Sequence, residues 1–358
     1  MARRLNTWEQ IWAFIGPRLK SKFGRPIPYW FFLDVLTTCN MRCGYCFVIE
    51  PKRAKIDLSV AKQSIDFMHE QGCRVVAFMG GEPLLLGDSL VEIIEYATSK
   101  RMFTYLPTNL SLLNARFLND LITAGMGCID AGIDAIEKRD GFDKNLAEAQ
   151  QNFDLVLESR KRGVHVKLNT VITRENVDDV YQLVELSRSK KIPISLHLIE
   201  GEPPETPQKE YGWLQKNWHF RNQDYPTLER LANWLIEKRK KGYPIANPAW
   251  YFERMKEMVR DGHHSGWKCL AGQHTLFINM RGEFAPCLAL IWQENKKWGN
   301  LKEGKWPFDK QAMEAQLSIC NSKCLSCSNT LTTYGELHPF AFLKPHIQRR
   351  LKFLWHSI

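Results

Sequence analysis

The chain has 358 residues, a formal net charge of +10 and a hydrophobic fraction of 44%, enough for a sizeable core and more than one compact core usually takes. No apolar run is long enough to cross a bilayer, and Met-Ala-Arg-Arg-Leu at the start is not followed by a signal-peptide core, so a cytoplasmic protein is expected. In a reducing compartment the ten cysteines read as metal ligands rather than disulfides, and no nucleic-acid motif accompanies the basic charge.

Residues 1–29 carry Arg3, Arg4, Arg18, Lys20, Lys22 and Arg25 among Trp8, Trp12, Phe14 and Ile15. They predict a basic amphipathic helix, either docked on the domain or lying on an anionic membrane. From 30 to 200 short apolar runs alternate with helical patterns: strands at 30–36, 74–78, 103–106, 127–133, 164–172 and 194–198, helices at 59–70, 88–99, 114–123, 143–161 and 176–188. Six strands with a helix between each successive pair predict an α/β fold with a parallel sheet and right-handed crossovers. That is too few for a closed eight-stranded barrel, so a partial (β/α)6 barrel is expected, with its chemistry at the carboxyl ends of the strands. Residues 201–261 form a connection containing helices at 227–241 and 249–259. Residues 262–335 make a smaller cysteine-rich domain built on a β-hairpin around Arg281-Gly282-Glu283, and 336–358 a second basic aromatic helix.

Eight of the cysteines fall into two groups, while Cys73 and Cys128 stand alone in apolar stretches and read as packing residues. Cys39, Cys43 and Cys46 lie in one loop after the first strand. Three thiolates leave a coordination position open; a [4Fe-4S] cluster so held keeps one iron free, whereas electron-transfer clusters normally have four thiolates. A zinc site would close with a fourth Cys or His at short spacing, and none follows in this loop. The second strand runs into Met79-Gly80-Gly81-Glu82-Pro83, where a Gly pair admits close backbone approach to a ligand and Glu82 offers an acceptor for a cationic group. Later strands end in Pro107-Thr108-Asn109-Leu110, Ala131-Gly132-Ile133-Asp134 and Lys167-Leu-Asn169-Thr170-Val171. His197 and Glu200, on and after the last strand, are candidates to face the site, while an isolated histidine, here His197 and equally His263 and His264, more often reads as hydrogen-bonded structure.

The Cys-x3-Cys-x-aromatic-Cys spacing, with Tyr45 as the aromatic, and the Gly-Gly-Glu-Pro turn resemble the radical S-adenosylmethionine (SAM) superfamily. The resemblance implies the partial barrel, a [4Fe-4S] cluster on Cys39, Cys43 and Cys46, and SAM on its open iron, with Gly80, Gly81, Glu82 and Pro83 around the methionine amino group. It places Thr108 and Asn109 near the ribose and carboxylate, with Leu110 where relatives carry Gly. Gly132 stands where a serine would contact SAM, so Asp134 or Asp130 serves instead; Asn169 reaches the cofactor or caps the strand end.

In the second group, Cys269, Cys287, Cys320, Cys324 and Cys327, the run from Gly282 to Cys287 resembles the Gly-x4-Cys of SPASM and twitch domains, which hold auxiliary [4Fe-4S] clusters. It implies one such cluster on Cys269, Cys287, Cys324 and Cys327, with Cys320 a fifth candidate. The Cys320-x3-Cys324-x2-Cys327 spacing leaves the opposite assignment open, and zinc is the rival metal.

The implied activity is reductive cleavage of SAM to a 5′-deoxyadenosyl radical, which abstracts hydrogen from an unactivated carbon of a small-molecule, lipid or peptide substrate. A low-potential donor of flavodoxin or ferredoxin type would supply the electron. Residues 1–29 are too short for the peptide-recognition domain of many peptide-modifying relatives, which favours a small molecule or lipid over a peptide maturase. Basic aromatic termini add an expected peripheral membrane contact. The non-enzymatic alternative is an iron-sulfur or zinc redox module, which predicts four-thiolate sites and no reaction with SAM.

Overall fold

The structure, a computed structural model, describes residues 4–22, 28–46, 54–199, 218–265, 269–291, 298–304, 311 and 324–325. The predicted strands appear as β1 (Trp30–Leu36), β2 (Val75–Gly80), β3 (Phe103–Thr108), β4 (Cys128–Gly132), β5 (His165–Ile172) and β6 (Ile194–Leu198). They are joined through α2 (Leu58–Glu70), α3 (Asp88–Ser99), α4 (Ala115–Thr123), α5 (Leu146–Glu158) and α6 (Val177–Lys190), and α1 (Thr7–Lys22) precedes them. Each strand from β1 to β6 lies parallel to the next.

Strands covered on both faces must be apolar almost throughout, and β1 and β4 are. On the outer face, Leu33, Phe78, Leu106, Ile129 and Leu168 pack against Ile65, Ile93, Leu121, Phe153 and Val180 of the helices. Side chains of the alternate parity point the other way: Phe32, Val75, Ala77, Phe103 and Tyr105 make an aromatic inner floor. Phe14 of α1 meets Trp30 and Phe103 edge-on at 6.0 and 5.1 Å, so this helix plugs the amino ends of the strands. The other side of α1 exposes Trp8, Trp12 and Leu19. Of the two expected readings, docked on the domain or lying on a membrane, the contacts of Phe14 give the docked helix.

Both edges of the six-stranded sheet are covered. Beyond β6, the Asn247 amide exchanges hydrogen bonds with the Leu196 backbone at 2.8 and 2.7 Å, in the segment between α7 (Tyr225–Lys240) and α8 (Ala249–Asp261). At the β1 edge the predicted hairpin, β7 (Thr275–Ile278) and β8 (Phe284–Ala285), departs from expectation. Rather than standing apart, β7 pairs in parallel with β1, extending the sheet to eight strands in the order β6-β5-β4-β3-β2-β1-β7-β8. An unpaired β1 edge would leave its backbone groups unsatisfied next to the core, and β7 meets that need. The predicted helix at 336–358 and the segment 201–217 lie outside the described residues.

Candidate active site at the carboxyl ends of the strands

Two loops are locked together by backbone alone. Gly81 N–H donates to the Leu36 carbonyl and Glu82 N–H to that of Thr38, both at 2.9 Å, joining the Gly-Gly-Glu turn to the start of the cysteine loop. A Cβ on Gly81 would lie 2.0 Å from the Thr38 oxygen, and one on Gly80 2.2 Å from that of Leu36. Gly80 also has φ +139°, where side chains are rarely tolerated. Side chains at these positions would push the two loops apart.

Glu82 is buried, and its carboxylate accepts from Leu84 N–H at 3.1 Å, Thr108 Oγ1 at 2.7 Å and Asn109 N–H at 2.8 Å. Burial pushes its pKa above the ordinary value despite those donors. Pro83 starts the short helical turn Pro83–Leu86 that Glu82 caps. Asn109 continues the chain of contacts: its Nδ2 donates to Asn40 Oδ1 at 3.0 Å and its Oδ1 accepts from Ser111. Thr108 and Asn109 thus gather with the cysteine loop and Glu82. Leu110 has φ +67°, which explains the glycine expected there. A left-handed non-glycine residue costs about 1–2 kcal/mol, and full burial of the leucine offsets a similar amount, about 1.5–3 kcal/mol.

The opposite wall comes from β4 and the segment after it. Asp134 is fully buried; its Oδ1 accepts from Val171 N–H at 2.6 Å, and its Oδ2 accepts from Tyr45 OH and sits 2.8 Å from Lys144 Nζ. Both oxygens therefore have partners in the protein, so Asp134 anchors Tyr45 rather than facing the site unpaired. Lys144 is placed by its own backbone, whose carbonyl accepts from Asp134 and Ala135 N–H, and by Asn145, the N-cap of α5. Burial disfavours the Lys144 cation, but the Asp134 carboxylate 2.8 Å away outweighs it and holds the pKa above the ordinary value. A Cβ on Gly132 would stand 3.3 Å from Lys144 Cδ, so the lysine stem occupies the space a serine would need there. Nothing local in the sequence marks Lys144.

Cys43 is buried, while Cys39 and Cys46 are half-buried. Burial pushes the Cys43 thiol up to about 12, opposed by Lys144 and reinforced by Cys46; burial raises Cys39 as well. These thiols are close enough to oppose one another's ionisation, a penalty that a bound cationic metal centre reverses. Among the described residues no three His, Cys, Asp or Glu side chains converge on one point, as a single metal ion requires. A four-iron cluster asks for something else, a ring of thiolates each on its own iron.

Deeper on the inner face, the register sets Asp130 beside Lys167, Gly132 beside Asn169, and Asn169 beside Ser195. Asp130 Oδ2 accepts from Tyr105 OH at 2.6 Å and lies 3.1 Å from Lys167 Nζ. Asp130 Oδ1, Asn169 Oδ1, Ser195 Oγ and His197 Nδ1 are buried without a hydrogen-bond partner among the described residues. Such atoms on three adjacent strands mark a face built to meet a further polar group. Asn169 shares this inner face, between Gly132 and Ser195 on the neighbouring strands. Glu200 lies outside the described residues.

Of the second cysteine group, Cys269 and Cys287 are buried beside the aromatic floor and Cys324 is half-buried. The Cys324 carbonyl lies 3.0 Å from His264 Nε2. Cys320 and Cys327 lie outside the described residues.

Residues 34–187 match the Radical SAM superfamily. Over 295 residues the chain is 28% identical to AdoMet-dependent heme synthase of Oleidesulfovibrio alaskensis, covering 76% of this chain and 72% of that one. It is 23% identical over 297 residues to PqqA peptide cyclase of Xanthomonas oryzae pv. oryzae, with 78% and 73% covered. Similarity to Fe-coproporphyrin III synthase of Methanosarcina barkeri, 27% over 181 residues, spans 48% of this chain and 43% of that one. In fold, the chain superposes on Streptococcus suis SuiB bound to S-adenosylmethionine with a TM-score of 0.62 at 17% identity, over 88% of this chain and 74% of that one. Residues 34–187 thus carry the match to the radical SAM superfamily, whose members use S-adenosylmethionine and a [4Fe-4S] cluster, and the chain shares its mostly parallel α/β fold with SuiB.

Proposed function

We propose that Cys39, Cys43 and Cys46 hold the [4Fe-4S] cluster and that SAM occupies the space between it, Glu82 and the inner ends of β3 to β5. The observation that carries this is the backbone lock between the Gly80–Gly81 turn and the cysteine loop, which holds a buried carboxylate within electrostatic reach of the Cys39 thiol. When bound, cluster and SAM supply, on reduction, a 5′-deoxyadenosyl radical able to take hydrogen from an unactivated carbon. The protein's own part is positional. Glu82, pinned by three donors, presents its remaining acceptor capacity to the methionine ammonium, and that charge would draw its pKa back down. Thr108 and Asn109 fix Glu82 and the cysteine loop to the same strand end. Asn169 offers, from the facing strand, an oxygen with no partner among the described residues. Tyr45, through Asp134 and Lys144, ties the cysteine loop to β4 and screens it from water.

The substrate belongs on the inner face of β4 to β6, where Asp130, Ser195 and His197 keep polar atoms with no partner among the described residues. A small-molecule, lipid or peptide substrate fits this reading. Similarity to PqqA peptide cyclase over most of both chains supports the peptide, and similarity to AdoMet-dependent heme synthase supports the small molecule. Cys269, Cys287, Cys324 and Cys327, with Cys320 as alternate, would hold an auxiliary [4Fe-4S] cluster that accepts an electron or anchors substrate. A flavodoxin- or ferredoxin-type protein would reduce the first cluster.

No helix among the described residues is long and apolar enough to cross a membrane. The outward stripe of Trp8, Trp12 and Leu19 supports peripheral contact with an anionic bilayer. Co-sedimentation with anionic vesicles at low salt checks that part, and its absence removes the membrane from the reading. The core assignment is tested by anaerobic reconstitution, reduction with SAM, and measurement of 5′-deoxyadenosine. Wild type forms it, and Cys43→Ala does not.

A further inference from the structure

Trp218, outside every sequence motif, touches the cysteine loop from its far side. It is 4% exposed and lies against Gly44, between Cys43 and Cys46, and against Gly141, in the connection from β4 to α5. A Cβ on Gly44 would stand 2.4 Å from the indole and one on Gly141 2.3 Å from it, so both positions are hollowed to admit the ring. Gly141 adds φ +81°, and Gly44 N–H donates to its carbonyl at 3.0 Å. Tyr45 and Phe142, the next residue after each glycine, meet the indole edge-on with centroids 5.8 and 5.1 Å away. Finally, the Trp218 carbonyl accepts from Arg174 N–H at 3.2 Å, fastening the residue to the connection after β5. The connections following β1, β4 and β5 therefore converge on one side chain.

We propose that Trp218 is a positioning residue of the cysteine loop, orienting Cys43 and Cys46 and walling them from water. This rests on the cluster assignment made above. Its physical effect follows from charge: reduction adds an electron to the cluster, and water beside it stabilises the more negative state. A dry aromatic wall holds the reduction potential down. Without the indole, two adjacent glycines leave the loop free to collapse or admit solvent.

The test uses the full-length chain, reconstituted anaerobically as wild type, Trp218→Ala, Trp218→Phe and Gly141→Ala. Redox titration followed by electron paramagnetic resonance gives the midpoint potential, and adding SAM to the reduced protein gives the spectral change on binding. Trp218→Ala and Gly141→Ala are expected to shift the potential positively and weaken the SAM-induced change, with Trp218→Phe close to wild type. Wild-type potential and wild-type SAM response in Trp218→Ala, with only thermal stability lowered, would reduce the residue to packing and overturn the proposal. Should Trp218→Ala fail to fold, an unshifted potential in Gly141→Ala overturns it equally. A wild type that takes up no cluster refutes the cluster assignment instead.

Discussion

The two ends of the strands are built from opposite materials. At the amino ends, Phe14, Trp30, Phe32, Phe103 and Tyr105 fill the space with aromatic rings, a region where size and shape decide everything. At the carboxyl ends, glycines let backbones touch, and charged groups are satisfied one by one: Glu82 by three donors, Asp134 by Tyr45, Lys144 and Val171. The floor provides cohesion; the mouth spends some of it on holding polar groups in fixed positions. Substitutions at the two ends should therefore fail in different ways.

The sharpest contrast pairs Gly81→Ala with Phe14→Ala. At Gly81 the added carbon meets the Thr38 carbonyl, which is backbone and has nowhere to go, so the cysteine loop must move. SAM cleavage should fall by at least about 100-fold, the order expected from displacing reacting groups by an ångström. Phe14→Ala removes a half-buried ring from the floor and should cost about 2 kcal/mol of stability, leaving the cluster spectrum and its response to SAM intact. Cleavage assays beside chemical denaturation check both, and a stable Gly81→Ala with normal cleavage would break the distinction.

A smaller effect concerns His197, in the polar layer of the inner face. Burial first, then Lys167 and Lys144, push it down to about 3. Unfolded, it titrates near 6.5, so as pH falls the unfolded chain binds the proton first. Its contribution to stability is complete above about pH 6.5 and is lost progressively toward about pH 3, by up to about 1.4 kcal/mol per pH unit. Denaturation midpoints of wild type and His197→Asn across that window should diverge, the variant losing less on acidification. Parallel curves would mean that the imidazole is not held neutral by its surroundings.

How far these features can be read from the chain depends on their range. The alternation of apolar runs and amphipathic helices gave β1 to β6 because each crossover is a local pattern. Cys39, Cys43, Cys46 and Gly80 to Glu82 stand out in the sequence because particular residue types recur there at fixed spacing, and the close backbone approach at Gly80 and Gly81 admits no side chain. The hairpin at Gly282 was visible too, but not its parallel attachment to β1, since a turn signal says nothing about which distant edge needs a partner. Lys144 and Trp218 were missed for the same reason. One looks like an ordinary surface lysine before an N-cap, the other like one aromatic in an irregular stretch, and only tertiary packing brings them to the cysteine loop. Two departures from the resemblance have structural counterparts. Gly132 makes room for the Lys144 stem, and Leu110 keeps a glycine's backbone conformation while burying a leucine's side chain.

The most direct measurement is electron paramagnetic resonance of the reduced, reconstituted full-length protein with and without SAM, paired with product analysis. An iron left open by Cys39, Cys43 and Cys46 predicts a spectrum that changes on adding SAM and yields 5′-deoxyadenosine and methionine, both lost in Cys43→Ala. A spectrum indifferent to SAM, or cleavage that survives in Cys43→Ala, would contradict it.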